Sequence, residues 1–149
     1  MSSLVCADAG LALKLVFQEA DSLLARALWE EWKSNGTTVI VPTLWGYEIT
    51  SVIRNRVHRG LYPAAREMEA FDTLHSLPVQ ALHPGSLHRR AWELAQHFNR
   101  PAAYDSHYLA LAEIAGCPFW TADERLFNAV RHELAWVHWL GDYSAARPG

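Results

Sequence analysis

Four acidic side chains occupy positions where carboxylates can perform chemistry. Asp8 directly follows a short apolar run, Asp123 follows another, and Asp105 stands near the start of an apolar helical segment. Glu48 lies inside a further helical segment, and the residues around it are largely apolar. Carboxylate oxygens are hard ligands of the kind that Mg²⁺ and Mn²⁺ prefer, and carboxylates gathered without a cation repel one another. A metal ion held by such a cluster activates water for attack on a phosphodiester, so phosphodiester hydrolysis is the chemistry that the four acids suggest.

Each acid also has a purely structural interpretation. Asp is a favoured N-cap residue, because its carboxylate accepts the free backbone N–H groups of the first helical turn, and this role suits Asp8 and Asp105. The stretch 121–124 matches a capping box, which would leave Asp123 in the first turn of a helix. Glu48 lies too far inside its helix to cap it, but it can point to solvent or pair with an arginine. Single positions leave these alternatives open, and only the four acids together favour a metal centre.

The strands and helices that place these acids follow from the pattern of apolar residues. This pattern predicts strands at residues 4–7, 38–41, 78–82, 118–121 and 135–139. It predicts helices at residues 11–17, 21–33, 43–59, 63–74, 86–99, 104–115 and 123–131. Strands and helices alternate without hairpin turns, so we expect an α/β fold in which a central parallel sheet is sandwiched between helices in three layers. Ligands of such sheets bind beyond the carboxyl ends of the strands, where Asp8 and Asp123 would lie.

Length and composition fit one globular domain. The chain has 149 residues, of which 50% are hydrophobic and 19% are charged, so we expect a single domain over 1–149 with an irregular tail at 141–149. The formal net charge of -3 means that a nucleic-acid partner would need a local basic patch. Cys6 and Cys117 lie in apolar runs without metal-site spacing, and we expect buried free thiols. The absence of a long apolar run and of a leader pattern predicts a cytoplasmic protein without membrane contact.

Four segments of the chain resemble, in order and spacing, the four sequence blocks of PIN-domain proteins. They are VCADAGLALK at 5–14, VPTLWGYEITSVIR at 41–54, YDSHYLALAE at 104–113 and FWTADERL at 119–126. The resemblance is strongest to the VapC-type toxins of bacterial and archaeal toxin–antitoxin pairs. It implies a Mg²⁺- or Mn²⁺-dependent endoribonuclease that cleaves RNA, often tRNA or rRNA. It also implies a homodimer and a cognate antitoxin that holds the toxin inactive.

The resemblance assigns a role to each acid. Asp8, Glu48 and Asp105 match three acids by which the family binds its metal, and Asp123 matches a more variable fourth. We expect Asp8, Asp105 and Asp123 to hold the metal directly or through water. We expect Glu48 to complete the metal shell or to accept the proton of the attacking water.

Hydroxyl groups form a second part of the expected site. Thr121 matches the hydroxyl residue usually found just before the fourth acid, and Ser106 is a nearby hydroxyl that can support the site. This chain has Gly10 where the family often carries Ser or Thr. That departure leaves open a catalytically inactive PIN-fold binding platform, against which the presence of all four acids argues. Further alternatives are a phosphatase with an aspartyl nucleophile, which usually has a second Asp at the place of Gly10, and a nuclease acting on DNA.

Binding of RNA requires positive charge near the acids. Arg54, Arg56 and Arg59 lie on the same predicted helix as the glutamate, and Arg59 is eleven residues on, close to three turns and so on nearly the same face. We expect these arginines to contact phosphate groups, with pairing to a partner's acids or exposure to solvent as the alternative. Lys14 is a lesser candidate. Core packing is the expected role of the tryptophans, and Trp45, close to the glutamate in sequence, could stack on a base only if it is exposed.

Overall fold

A parallel sheet of five strands forms the centre of the fold in the computed structural model, which describes residues 3–144. The strands are β1 Leu4–Ala7, β2 Thr38–Pro42, β3 Val79–Leu82, β4 Phe119–Thr121 and β5 Val137–Trp139. All neighbours pair in parallel, in the order β3-β2-β1-β4-β5. In the central strand β1, Cys6 pairs in register with Ile40 of β2 and Phe119 of β4. Because the strands share one direction, their carboxyl ends meet at a single edge.

Seven α-helices cover this sheet in the described part of the chain. They are α1 Ala9–Leu13, α2 Ser22–Ser34, α3 Leu44–His58, α4 Glu67–His75, α5 Leu87–His97, α6 Tyr104–Ala115 and α7 Glu124–Val130. Short 3₁₀ turns occupy Ala64–Arg66 and Leu140–Asp142. Strands therefore alternate with helical segments, and the predicted α/β fold with a helix-covered parallel sheet is confirmed.

The central elements are buried because they have neighbours on both sides. β1 and β2 are almost continuously apolar and buried, which is typical of parallel strands covered on both faces. Helix α6 has buried residues around most of its circumference, since it contacts β1, β2 and β4 as well as α5. Gly116 ends α6 in the left-handed conformation with a φ of 68°, which glycine adopts without steric strain. Helix α6 is thus a firmly held base for the acid that it carries near its start.

Three predicted segments differ from the structure. The first helix spans Ala9–Leu13 rather than 11–17, because Asp8 caps it early and the chain then leaves the helix in a turn. The predicted helix 63–74 begins with a 3₁₀ turn, and its α-helical part is Glu67–His75. The predicted irregular tail is wrong for residues 141 and 142, which belong to a 3₁₀ turn, while its residues 145–149 lie outside the described residues.

Two further expectations concern cysteines and membranes. Cys6 and Cys117 are both free and buried, as predicted. The Cys6 thiol lies 3.7 Å from the carbonyl oxygen of Tyr108, which ties β1 to α6. Among residues 3–144, no helix combines the length and the apolar character that a membrane crossing requires.

Candidate active site

Asp8 stands where β1 passes into α1, and both of its oxygens are engaged. Oδ1 accepts the backbone N–H of Leu11 at 2.9 Å, so the carboxylate is the N-cap of α1. Oδ2 accepts a short hydrogen bond from the hydroxyl of Thr121, which is fully buried at the end of β4. The backbone N–H of Ala122 approaches the same carboxylate at 3.3 Å. The capping role therefore does not exclude a role in a site, and these contacts fix the orientation of the Asp8 carboxylate.

Thr121 also fixes the turn that carries Asp123. Its Oγ1 accepts the backbone N–H of Asp123 at 2.9 Å while its proton goes to Asp8. Asp123 is itself the N-cap of α7, with Oδ1 accepting the N–H groups of Arg125 and Leu126 at 2.9 and 3.2 Å. The predicted capping box, with Asp123 inside the first turn, is therefore wrong. One threonine connects two of the four acids across neighbouring strands.

Glu48 reaches across from α3 to α6. The hydroxyl of Tyr108, a residue that is 1% exposed, donates a 2.7 Å hydrogen bond to Glu48 Oε1. Burial raises the pKa of the Glu48 carboxyl, the Tyr108 hydrogen bond opposes this effect, and the charge of Asp105 adds to it. Burial also raises the pKa of Tyr108 far above its ordinary value, with Glu48 contributing. Glu48 is thus a half-buried carboxylate with a tyrosine partner, rather than the solvent-exposed or arginine-paired residue of the structural interpretation.

Asp105 lies in the first turn of α6 without capping it. Ala103 holds the N-cap position, and the Asp105 side chain remains 46% exposed. Its nearest cation is Arg100, whose Nη2 lies 3.7 Å from Oδ2. Burial and the neighbouring charge of Asp123 raise the pKa of Asp105, while Arg100 lowers it in part. The Asp105 carboxylate is therefore influenced by the charges of both Asp123 and Arg100.

All four acids line one open cleft at the carboxyl edge of the sheet, with a volume of about 300 Å³. We call it the acid cleft, and its charged lining residues are Asp8, Lys14, Glu19, Glu48, Arg56, Asp105 and Asp123. Burial raises the pKa of Asp8 to about 6. Hydrogen bonds from Thr121 and from the backbone lower this pKa in part, and the charge of Asp105 raises it further. The carboxylates are therefore close enough to influence one another.

The donor set of the acid cleft suits a divalent cation by its chemistry. It offers hard carboxylate oxygens, and three of its acids have raised pKa values chiefly because they are buried, so a bound cation would stabilise their anionic forms. Within residues 3–144, no three His, Cys, Asp or Glu groups are arranged closely enough to hold one ion together. Asp8 and Glu48 are instead hydrogen-bonded to Thr121 and Tyr108.

The other predicted site residues fall into different places. Arg56 lines the acid cleft, whereas Arg54 and Arg59 are not among its lining residues. Arg54 donates two hydrogen bonds to Glu67 of α4, at 2.6 and 2.8 Å. Ser106 is buried outside the cleft lining, and its hydroxyl has no hydrogen-bond partner among the described residues.

Two aromatic residues near the acids differ in what the sequence indicated. Trp45 is only 5% exposed, which agrees with core packing and leaves it unable to stack on a base. Tyr108 was not singled out, although it lies three residues after Asp105 and so on a neighbouring part of the same helical face. A buried polar aromatic residue near an acid is the signal that could have identified it.

The chain matches known proteins in sequence and in fold. The family model described as PIN domain matches residues 5–133. A VapC ribonuclease of Mycobacterium bovis and ribonuclease VapC9 of Mycobacterium tuberculosis are each 37% identical to the chain over 86 residues, which is 58% of this chain and 65% of each relative. The match thus spans just under two thirds of these relatives' length. The crystal structure of PAE2754 from Pyrobaculum aerophilum matches with a TM-score of 0.67 and 16% identity, over 95% of this chain and 93% of that one, and this likeness concerns the fold.

Proposed function

The chain belongs to the PIN-domain family, as its four sequence blocks predicted, and we propose that it is a metal-dependent endoribonuclease of the VapC type. The observation that carries this proposal is the gathering of Asp8, Glu48, Asp105 and Asp123 in one cleft at the carboxyl edge of the sheet. The names of the mycobacterial relatives, which are VapC ribonucleases, support RNA as the substrate.

In the proposed mechanism, Asp8, Asp105 and Asp123 would hold Mg²⁺ or Mn²⁺. The bound ion would lower the pKa of water and offset the charge that develops on a phosphate. Thr121 keeps the Asp8 carboxylate facing the cleft and fixes the turn of Asp123 at the same time. Glu48 is suited to accept the proton of the attacking water, because burial moves its pKa toward neutrality.

Arginines complete the proposed site by binding the RNA backbone. Arg56 is placed for this role in the acid cleft, while Arg54 and Arg59 extend from the same helix farther from it. The RNA would be a tRNA or an rRNA, as the family resemblance implies. A cognate antitoxin, a homodimer and a cytoplasmic location belong to the same proposal.

Cleavage of a mixed RNA pool by purified protein tests this function. We expect cleavage with Mn²⁺ and with Mg²⁺, and none with EDTA. Asp8→Asn and Asp105→Asn should each abolish it. Asp72→Asn is the matched control, because Asp72 is an exposed acid on α4 that does not line the acid cleft. Metal-independent cleavage, or full activity in both cleft variants, would contradict the proposal.

A further inference from the structure

Two cations of the acid cleft share one carboxylate. The ammonium of Lys14, the residue that follows α1, lies 2.6 Å from Glu19 Oε2. The guanidinium of Arg56, on α3, donates to Glu19 Oε1 at 2.9 Å. All three side chains line the cleft together with the four acids. Glu19 thus presents one oxygen to each cation, as an anionic phosphate group would.

Each cation also has a second partner that does not line the cleft. Lys14 lies 2.8 Å from Asp21 Oδ1, and the guanidinium carbon of Arg56 lies 4.7 Å from the centre of the Phe17 ring. Phe17 is buried and packs nearly perpendicular to the ring of Tyr62, with the ring centres 4.9 Å apart, so it is a fixed platform. Asp21 and Phe17 would therefore hold both cations in place after the Glu19 side chain has moved away.

The backbone beside Glu19 is anchored independently of its side chain. The hydroxyl of the buried Ser22 accepts the N–H of Glu19 at 2.9 Å and donates to the carbonyl of Phe17 at 3.1 Å. The Glu19 side chain is 34% exposed. Departure of the carboxylate therefore requires rotation of one side chain and leaves the loop as it is.

We propose that Lys14 and Arg56 form a subsite for a backbone phosphate of the RNA next to the one that is cut, and that the Glu19 carboxylate occupies this subsite until the substrate displaces it. The subsite rests on the proposed ribonuclease function, because it gives a role to cations inside the acid cleft. A phosphate that enters a cleft with four acids meets repulsion, and two adjacent cations counteract it. The planar guanidinium of Arg56 also has N–H groups beyond the one that Glu19 uses.

Glu19 is therefore a competitor of the substrate, and its neutral isostere should bind RNA more tightly. Glu19→Gln keeps the side-chain shape and removes the anion that bridges the two cations. The Arg56–Glu19 pair is about one-third exposed, and ion pairs near the surface are weak, so the loss of the Glu19 anion should lower the KM for single-stranded RNA by about 3- to 10-fold and leave kcat within about 2-fold. A residue that positioned the two cations would give the opposite result, a higher KM.

Steady-state cleavage of a fluorogenic single-stranded RNA dodecamer with Mn²⁺ measures this effect. Glu30→Gln is the matched control, because it removes the same charge from an exposed site on α2 that does not line the acid cleft. Arg56→Gln should raise KM and reduce the slope of log KM against log salt by about 0.7, the contribution of one phosphate contact in a single strand.

Glu19→Gln should also lose its effect when it is added to Lys14→Gln/Arg56→Gln, because Glu19 acts through these cations. If the double variant does not fold, Glu19→Gln can be added to Arg56→Gln alone. The decrease of KM that Glu19→Gln causes should then be smaller than in the wild type, but not lost.

Failure of the subsite is distinct from failure of the ribonuclease function. A wild type that cleaves RNA, together with an unchanged or raised KM in Glu19→Gln, would overturn the subsite alone. A decrease of KM by Glu19→Gln that is equally large in the Lys14→Gln/Arg56→Gln background would also overturn the subsite, since the decrease would then reflect only the removal of negative charge. A folded wild type without metal-dependent cleavage would overturn the proposed function and the subsite with it.

Discussion

The Asp8 carboxylate should destabilise the metal-free protein. Burial raises its pKa from an ordinary value of 3.8 to about 6, despite hydrogen bonds from Thr121 and from backbone N–H groups. A carboxyl whose pKa rises on folding is less stable as an anion in the folded protein than it would be in water. Replacement of this anion by a neutral amide in Asp8→Asn should therefore stabilise the fold while it removes a site residue.

The size of this effect follows from the pKa. The difference of about two pKa units corresponds to roughly 3 kcal/mol of unfolding free energy at neutral pH. The hydrogen bonds to the Asp8 anion are already included in this pKa, so the only further cost is the poorer fit of the amide to the Thr121 hydroxyl, about 1 kcal/mol at any pH. The variant should therefore be more stable by about 2 kcal/mol, or about 4–8 °C in Tm for a domain of this size.

The sign of the pH dependence is specific. Between pH 4 and pH 6 the folded wild type binds a proton at Asp8 that the unfolded chain has already released, so its stability falls as the pH rises through this window. Asp8→Asn lacks this titration. The advantage of the variant should be complete above about pH 6. Below about pH 4, where Asp8 is protonated in both states, only the cost of about 1 kcal/mol should remain, so the variant should be slightly less stable than the wild type.

Urea unfolding with EDTA at pH 4 and pH 7.5 measures this prediction. The difference between Asp8→Asn and the wild type removes the contributions of all other titrating groups, and Asp72→Asn is the control for the same substitution at an exposed acid. A variant less stable than the wild type at pH 7.5, or equally stabilised at both pH values, would refute the reasoning from burial.

Substitutions at three further positions probe the surroundings of the acids. A Cβ at Gly10 would stand 3.6 Å from both Ala122 Cβ and Asp8 Oδ1, which is ordinary van der Waals contact. Gly10→Ser and Gly10→Ala should therefore both fit and stabilise the protein by up to about 1 kcal/mol in thermal melts. Only the serine hydroxyl should raise the cleavage rate. Thr121→Val should lower unfolding free energy by about 1–3 kcal/mol in urea, because it removes a buried hydroxyl that serves two acids, and should lower the cleavage rate at least 10-fold. Tyr108→Phe removes the hydrogen bond that lowers the pKa of Glu48, so the acidic limb of the pH–rate profile should move to higher pH, and an unmoved limb would exclude Glu48 as the base.

The position of an acid relative to the end of a strand can largely be predicted from the sequence. An apolar run followed by Asp8 or Asp123 predicts both the buried strand and the edge at which the acid emerges, because parallel strands present their carboxyl ends together. Glu48 was identifiable by its apolar neighbours, which predict a carboxylate in need of a partner. The nature of that partner depends on how α3 and α6 pack, and helical periodicity within one segment carries no such information.

The arginines also show that helical periodicity does not predict contacts between elements. Helical spacing places Arg59 on nearly the face of Glu48, but eleven residues of helix also separate them by about 16 Å along the axis. Arg59 follows the end of α3 and is exposed. Arg56 lies within α3 and donates a hydrogen bond to Glu19, which lies in the loop before α2. No local sequence pattern identifies Glu19, because its role depends on contacts with Lys14 and Arg56, which lie five and 37 positions away in the chain.

The dependence of RNA cleavage on Mn²⁺, compared among single substitutions of three of the four cleft acids, tests the central claim most directly. That claim is that Asp8, Glu48, Asp105 and Asp123 form one metal-dependent hydrolytic site. We predict that the wild type and Asp72→Asn share one Mn²⁺ dependence, and that neutral variants of Asp8, Glu48 and Asp105 lose at least about 100-fold in rate, as expected for removal of metal-bound or proton-accepting groups. Cleavage that persists at the wild-type rate in these three variants, or without metal, would contradict it.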